Sequence, residues 1–115
     1  MRQISCEEIT ALVEKLCIQA ATVLPDDLCR VIETAEQKEE SPVGKGILQD
    51  ITKNFQMARE KGVPICQDTG MAVVFLTLGQ EVHITGGSLT DAVNLGVHNG
   101  YLNGFLRCSV VGDPL

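Results

Sequence analysis

Residues Cys66-Gln67-Asp68-Thr69-Gly70 set a thiol, an amide, a carboxylate and a hydroxyl side by side. A thiolate can attack carbon or bind a soft metal. A carboxylate can move a proton. The string runs straight into an apolar segment, residues 72–78, "AVVFLTL". Polar groups beside a core cost free energy unless something satisfies them. Either the string is a turn that satisfies itself, or it meets a ligand. For the turn, Pro64 holds the approach extended; Asp68 can bond the backbone ahead, and Gly70 can take positive φ. For the ligand, three readings stand: a thiol nucleophile helped by Asp68, a metal or cluster thiolate, and a polar contact to substrate.

Each ligand reading needs further groups. A nucleophile needs a histidine near Cys66, and His83 and His98 are the two available. Neither sits in a signature for that job. A cluster needs more than one cysteine. Cys108 is available but adjoins Arg107, and neighbours on a regular strand point to opposite faces. Arg107 is itself conspicuous. Residues 1–61 hold eight of the nine Lys and Arg, and from Gly62 onward Arg107 is the one strong cation, beside four acids. Its bland role is an ion pair; its active role is to hold an anionic ligand.

The elements that must position these residues follow from pattern. Ser5 and Glu8 fit a capping box opening a first helix, with Ile9, Leu12, Val13, Leu16, Cys17 and Ala20 at helical spacing. Cys17 belongs to that stripe as core filler. Pro25 opens a second helix, with Asp26 and Asp27 in its first turn where negative charge suits the dipole. Ser41 and Pro42 start a third, whose residues Ile47, Leu48, Ile51, Phe55 and Ala58 are expected to face inward. Asn54 lies on that side, as a hydrogen-bonded core residue or a site residue. Gly62 stops the helix.

Residues 72–78 then read as a strand buried on both faces. Gly79-Gln80 is a turn, "EVHIT" a second strand with His83 on its surface, and "FLRCSVV" a third extended segment. Between the last two, Ser88 caps a helix with Asp91 at N3. Gly96, Gly100 and Gly104 fall at every fourth place of that helix, a face that admits another backbone closely. The expected class is α+β: about three N-terminal helices, then a small mixed sheet with one glycine-rich helix, as part of a larger α/β domain.

Composition narrows the partners. The chain has 115 residues and a net charge of −6, which argues against nucleic acid or an anionic membrane surface as partner. No apolar run is long enough to span a bilayer. The first residues, "MRQISCEEIT", carry acids where a signal peptide would turn apolar. Five cysteines without a C-x-x-C pair read as reduced thiols in a cytoplasmic protein.

Three stretches, "PICQDTGMAVVF", "GQEVHITGG" and "DAVNLGVHNGYLNGFLRCSVVGDPL", resemble the N-terminal part of the alpha subunit of class I, iron–sulfur fumarate hydratases, and of the related L(+)-tartrate dehydratases. The likeness extends upstream to "LPDD", "ESPVGKGIL" and the Asn54 region, so residues 1–115 would be an N-terminal portion of the cluster-binding alpha domain. The resemblance implies a hydro-lyase that reversibly hydrates fumarate to L-malate, with a [4Fe–4S] cluster as Lewis acid. It makes Cys66 the first of three cluster ligands, the other two lying past residue 115. It makes Gln67 and Asp68 substrate contacts, Asp68 a proton carrier, and Arg107 the grip on a substrate carboxylate. It also implies a beta subunit or C-terminal domain as partner and an oligomeric enzyme, with the 115-residue chain inactive alone. Cys108 departs from the pattern, standing where a charged or polar residue is usual. The alternatives are tartrate as substrate, or a non-catalytic interaction module with the same fold.

Overall fold

The structure, a computed structural model, describes residues 1–113. It consists of β1 (Arg2–Ser5), α1 (Cys6–Thr22), α2 (Asp26–Lys38), α3 (Pro42–Lys61), β2 (Val82–Thr85) and α4 (Leu89–Asn103). The α+β class holds. The helix starts fall where the sequence puts them. The Ser5 hydroxyl accepts from the Glu8 N–H at 3.2 Å and the Glu8 carboxylate accepts from the Ser5 N–H at 2.9 Å, so two otherwise orphaned donors are satisfied reciprocally. Ser41 caps α3 with Pro42 following, and Gly62 ends it in the left-handed conformation at φ 63°. Ser88 caps α4, accepting from the Asp91 N–H at 3.4 Å.

β1 and β2 pair in parallel, Arg2 opposite Val82 and Ser5 opposite Thr85. Each strand feeds directly or nearly so into a helix, β1 into α1 and β2 into α4. The two β–α units therefore lie side by side, and their helices meet along the glycine face. A Cβ on Gly96 would stand 2.6 Å from Val13 Cβ and 2.7 Å from the Thr10 carbonyl. On Gly100 it would stand 2.8 Å from Cys17 Cβ. Carbon atoms pack at about 3.5–4.0 Å, so only glycine permits this approach. Two polar bonds seal the seam: the Thr10 hydroxyl donates to the Ala92 carbonyl at 2.9 Å, and the Asn103 amide to Glu14 at 2.7 Å. Val13, Ala92 and Leu106 are buried here. Cys17 is half-buried within the seam, as core filler, and burial pushes its thiol pKa up.

Three expectations need correction. Residues 72–78 form no strand: the segment has no ladder partner among the described residues, and Phe75 is 93% exposed. A strand buried on both faces needs neighbours in the sheet and layers above and below, and the described residues supply a helical layer on one side alone. "FLRCSVV" likewise forms no strand. The sheet instead recruits Arg2–Ser5, a run too short for its period to be read before the cap. Finally, Ile47 and Ile51 of α3 remain exposed; Phe55 and Ala58 are the buried residues of that stripe.

The chain is open in shape. Its accessible surface is 8593 Å², where a compact monomer of 12.4 kDa would show about 6,100 Å². Its radius of gyration is 18.1 Å, against about 13 Å for a compact domain of this length.

Candidate functional site

The residues singled out in the sequence lie in the loop between α3 and the 72–78 segment, and just after α4. The loop is held at both ends. On the near side, Ile65 is gripped twice. Its N–H donates to the Ala21 carbonyl at 2.9 Å, and its carbonyl accepts from the Asn54 side-chain amide at 2.8 Å. Asn54 is thus hydrogen-bonded as expected, but it is exposed and not a core residue. On the far side, the Thr69 hydroxyl donates to the Arg107 carbonyl at 2.6 Å. The Tyr101 hydroxyl donates to the Gly70 carbonyl at 3.4 Å. Burial raises the Tyr101 pKa, with smaller contributions from Cys17 and Cys108, so the phenol stays a donor.

Between these anchors Cys66, Gln67 and Asp68 are all exposed. Asp68 makes the turn that the sequence allows: its Oδ1 accepts from the Gly70 N–H at 3.1 Å, and Gly70 takes φ 66°. The turn engages one Asp68 oxygen and leaves Cys66 and Gln67 exposed on the loop. A left-handed glycine swings the chain so that Thr69 reaches the segment after α4.

That segment is fixed by an unusual helix end. Gly104 stays right-handed at φ −88° while Phe105 takes φ 54°, a region that non-glycine residues seldom adopt. The Leu106 N–H donates back to the Tyr101 carbonyl at 3.0 Å, and Leu106 is buried. The exposed Phe105 and Arg107 are thereby placed on either side of a buried anchor.

The outcome is a cleft of about 240 Å³ lined by Pro64, Cys66, Gln67, Thr69, Phe105 and Arg107. It brings Cys66 and Gln67 beside Arg107, a residue about forty positions on in sequence. Asp68 and Cys108 are not among its lining residues. Asp68 lies between the lining residues Gln67 and Thr69 in sequence, with one oxygen engaged in its own turn. From sequence, Pro64 only holds the approach extended, and Thr69 and Phe105 have no assigned site role. Thr69 belonged to the polar string, but its partner, a main-chain carbonyl thirty-eight residues on, leaves no sequence signal. The left-handed Phe105 has none either, because the adjacent Gly104 is the residue expected to take that conformation.

As a metal site the cleft offers one thiol. Among the described residues no three His, Cys, Asp or Glu side chains gather to hold a metal ion. Cys66 is a free and exposed cysteine, sterically able to serve as a single ligand to a group whose other ligands come from elsewhere. Among the described residues no helix is long and apolar enough to cross a membrane.

Comparison with known proteins shows the family. Residues 10–115 match the family profile described as fumarate hydratase (Fumerase). The chain is 40% identical over 76 residues to a Methanocaldococcus jannaschii protein named "Putative L(+)-tartrate dehydratase subunit alpha", covering 66% of this chain and 27% of that protein. It is 28% identical over 85 residues to the L(+)-tartrate dehydratase subunit alpha of Escherichia coli K12, covering 74% of this chain and 28% of that one. The chain thus spans roughly a quarter of the length of these relatives. With the profile matching from α1 through the segment that carries Arg107, this chain belongs to the fumarate hydratase (Fumerase) family.

Proposed function

We propose that residues 1–115 are the N-terminal portion of the alpha domain of an iron–sulfur hydro-lyase that reversibly hydrates fumarate to L-malate. The observation that carries this reading is the shared cleft of Cys66, Gln67 and Arg107 within a chain of this family. Cys66 would hold one corner of a [4Fe–4S] cluster, with its other protein ligands outside these residues. When bound, such a cluster with an open iron supplies Lewis acidity toward hydroxyl and carboxylate oxygens.

This chain's own residues do the rest. The planar Arg107 fork binds one carboxylate of a small dicarboxylate through paired hydrogen bonds. Removing the proton beside that carboxylate gives an intermediate with added negative charge on its oxygens, and a preorganised guanidinium stabilises that charge as it forms. The Gln67 amide, on the same wall, orients the substrate's polar groups. Asp68, next to Gln67 and held by the Gly70 N–H, is the chain's candidate to accept or return the proton. Phe105 and Pro64 supply apolar walls that limit water. An acidic chain of net charge −6 repels a dianion overall, so a local cation is needed to bring it in.

The relatives are named subunit alpha, and the open shape of this chain fits assembly with further polypeptide, a beta subunit or C-terminal domain. The surface in excess of a compact monomer, about 2,500 Å², is the size that obligate interfaces bury. A second reading, L(+)-tartrate as substrate, is favoured by the relatives' names.

The test is kinetic, on the anaerobically assembled enzyme with fumarate, L-malate and L(+)-tartrate each supplied. Cys66→Ser is expected to abolish turnover and cluster retention. Arg107→Ala is expected to raise KM by about tenfold to a hundredfold, since hydrogen bonds to charged groups contribute about 1.5–3 kcal/mol. Unchanged kinetics in Arg107→Ala would remove the arginine from the site. Turnover of tartrate but not fumarate would transfer the assignment to the second reading.

A further inference from the structure

The loop bearing Cys66, Gln67 and Asp68 touches the Arg107 segment by one short side-chain bond, from the Thr69 hydroxyl to the Arg107 carbonyl at 2.6 Å. We propose that Thr69 is a positioning residue: its hydroxyl sets the place of the Arg107 guanidinium relative to Cys66 and Gln67.

Three observations converge on it. First, the two walls of the cleft come from separate parts of the chain. One wall is anchored to α1 and α3 through Ile65, the other to α4 through Leu106. No β-ladder joins them, since neither 72–78 nor 106–111 forms a strand. The α1–α4 seam sets their coarse spacing, so the final approach of the two walls is left to bonds made by the loops themselves. Second, the bond's length of 2.6 Å lies at the short end for O–H···O hydrogen bonds. The same carbonyl receives only a long contact from the Ser109 hydroxyl, at 3.5 Å. Third, the acceptor is the main chain of Arg107 itself. A shift of that carbonyl moves the Cα and swings a long side chain, whereas a tether farther along would be damped by intervening dihedrals. Gly70 follows at φ 66°, and its carbonyl accepts from Tyr101, which fixes the direction from which Thr69 reaches across.

The inference rests on reading Arg107 as the residue that meets a carboxylate in this cleft. It can be tested without any turnover on the metal-free, full-length protein that carries these residues. Cys66 is exposed and can be alkylated with iodoacetate or iodoacetamide. The two reagents share a leaving group and a similar size and differ in charge. The ratio of their rates at Cys66, read by mass spectrometry, cancels the thiolate fraction and general accessibility. It reports the local pull on a carboxylate. A guanidinium across the cleft should raise that ratio about threefold at low ionic strength, and added salt should erase the gain.

Arg107→Ala is expected to lower the ratio about threefold. Thr69→Val, which removes the hydroxyl and keeps the shape, is expected to lower it comparably, and Thr69→Ser to restore it. Circular dichroism and the iodoacetamide rates at half-buried Cys17 and Cys29 monitor unfolding. Should the valine variant unfold, Thr69→Ala carries the same expectation. A wild-type ratio in Thr69→Val, with the ratio lowered in Arg107→Ala, would overturn the positioning role and leave the arginine in place. A wild-type ratio in Arg107→Ala would instead overturn the carboxylate reading on which the inference stands.

Discussion

Gly96→Ala should destabilise this chain although alanine is the better helix former. The seam between α1 and α4 sets the sign. An added methyl would meet Val13 Cβ at 2.6 Å and the Thr10 carbonyl at 2.7 Å. Restoring ordinary carbon contacts requires the helices to part by about 1 Å. Overpacking of this kind costs about 1–3 kcal/mol, and the move also stretches the Thr10–Ala92 bond, a further loss of up to about 1 kcal/mol. Helix propensity returns about 1 kcal/mol. The net expectation is a loss centred on about 1.5 kcal/mol, within bounds of about 0–3 kcal/mol. Gly46 in α3 supplies the control: a Cβ there meets no atom within 4 Å, so Gly46→Ala should gain about 1 kcal/mol from propensity alone. The assay is denaturant unfolding followed by helical circular dichroism, comparing midpoints of the two variants with the parent. Midpoints shifting in opposite directions support the reasoning. A Gly96→Ala midpoint at or above that of Gly46→Ala would refute it. The seam also bears on the site, because α1 holds Ile65 through Ala21 and α4 delivers Arg107. A variant that parts the helices and still folds should lower the iodoacetate preference at Cys66 as well.

Other outcomes follow from the same structure. Hydrogen bonds from the Ser5 backbone and hydroxyl hold the Glu8 pKa below its ordinary 4.5, with Arg2 adding a smaller pull. A depressed pKa in the folded state means that this contribution is present above pH 4.5 and is lost as pH falls through the lowered value. Melting temperature measured against pH should therefore fall less steeply below pH 4.5 in Glu8→Gln than in the parent; parallel curves would contradict the capping geometry. The exposed apolar residues of 72–78 carry no charge to block edge pairing, so the isolated chain should self-associate with rising concentration, and Val73→Lys with Phe75→Lys should suppress it. Light scattering from a strictly monomeric parent would show that this surface is not an interface.

Local signals in the sequence were reliable because their physics is local. Ser5, Ser41 and Ser88 cap helices with neighbours three residues away, and Gly62 ends α3 by its own backbone freedom. The Asp68–Gly70 turn is equally self-contained. The glycine face at Gly96, Gly100 and Gly104 was also legible, because a repeated loss of side chains on one helix face has few uses other than close approach. What failed depends on partners. The apolar run at 72–78 reads as a buried strand on composition, yet burial is a property of what covers a segment and not of the segment. Ile47 and Ile51 fail for the same reason: α3 presents a stripe, and α2 covers only part of it. Within the cleft, residue types pointed to Cys66, Gln67 and Arg107, but the tether that joins them runs to a carbonyl, which every residue possesses. The Thr69–Arg107 bond could be found only by geometry.

The central claim is that Cys66 and Arg107 face one cleft that receives a small dicarboxylate. The most direct measurement is a crystal structure of the anaerobically assembled enzyme with such a ligand bound. The account predicts a ligand carboxylate within about 3 Å of the Arg107 guanidinium nitrogens, with the Cys66 sulfur facing the same cavity and bonded to iron. A ligand held elsewhere, with Cys66 turned away from the arginine, would contradict it.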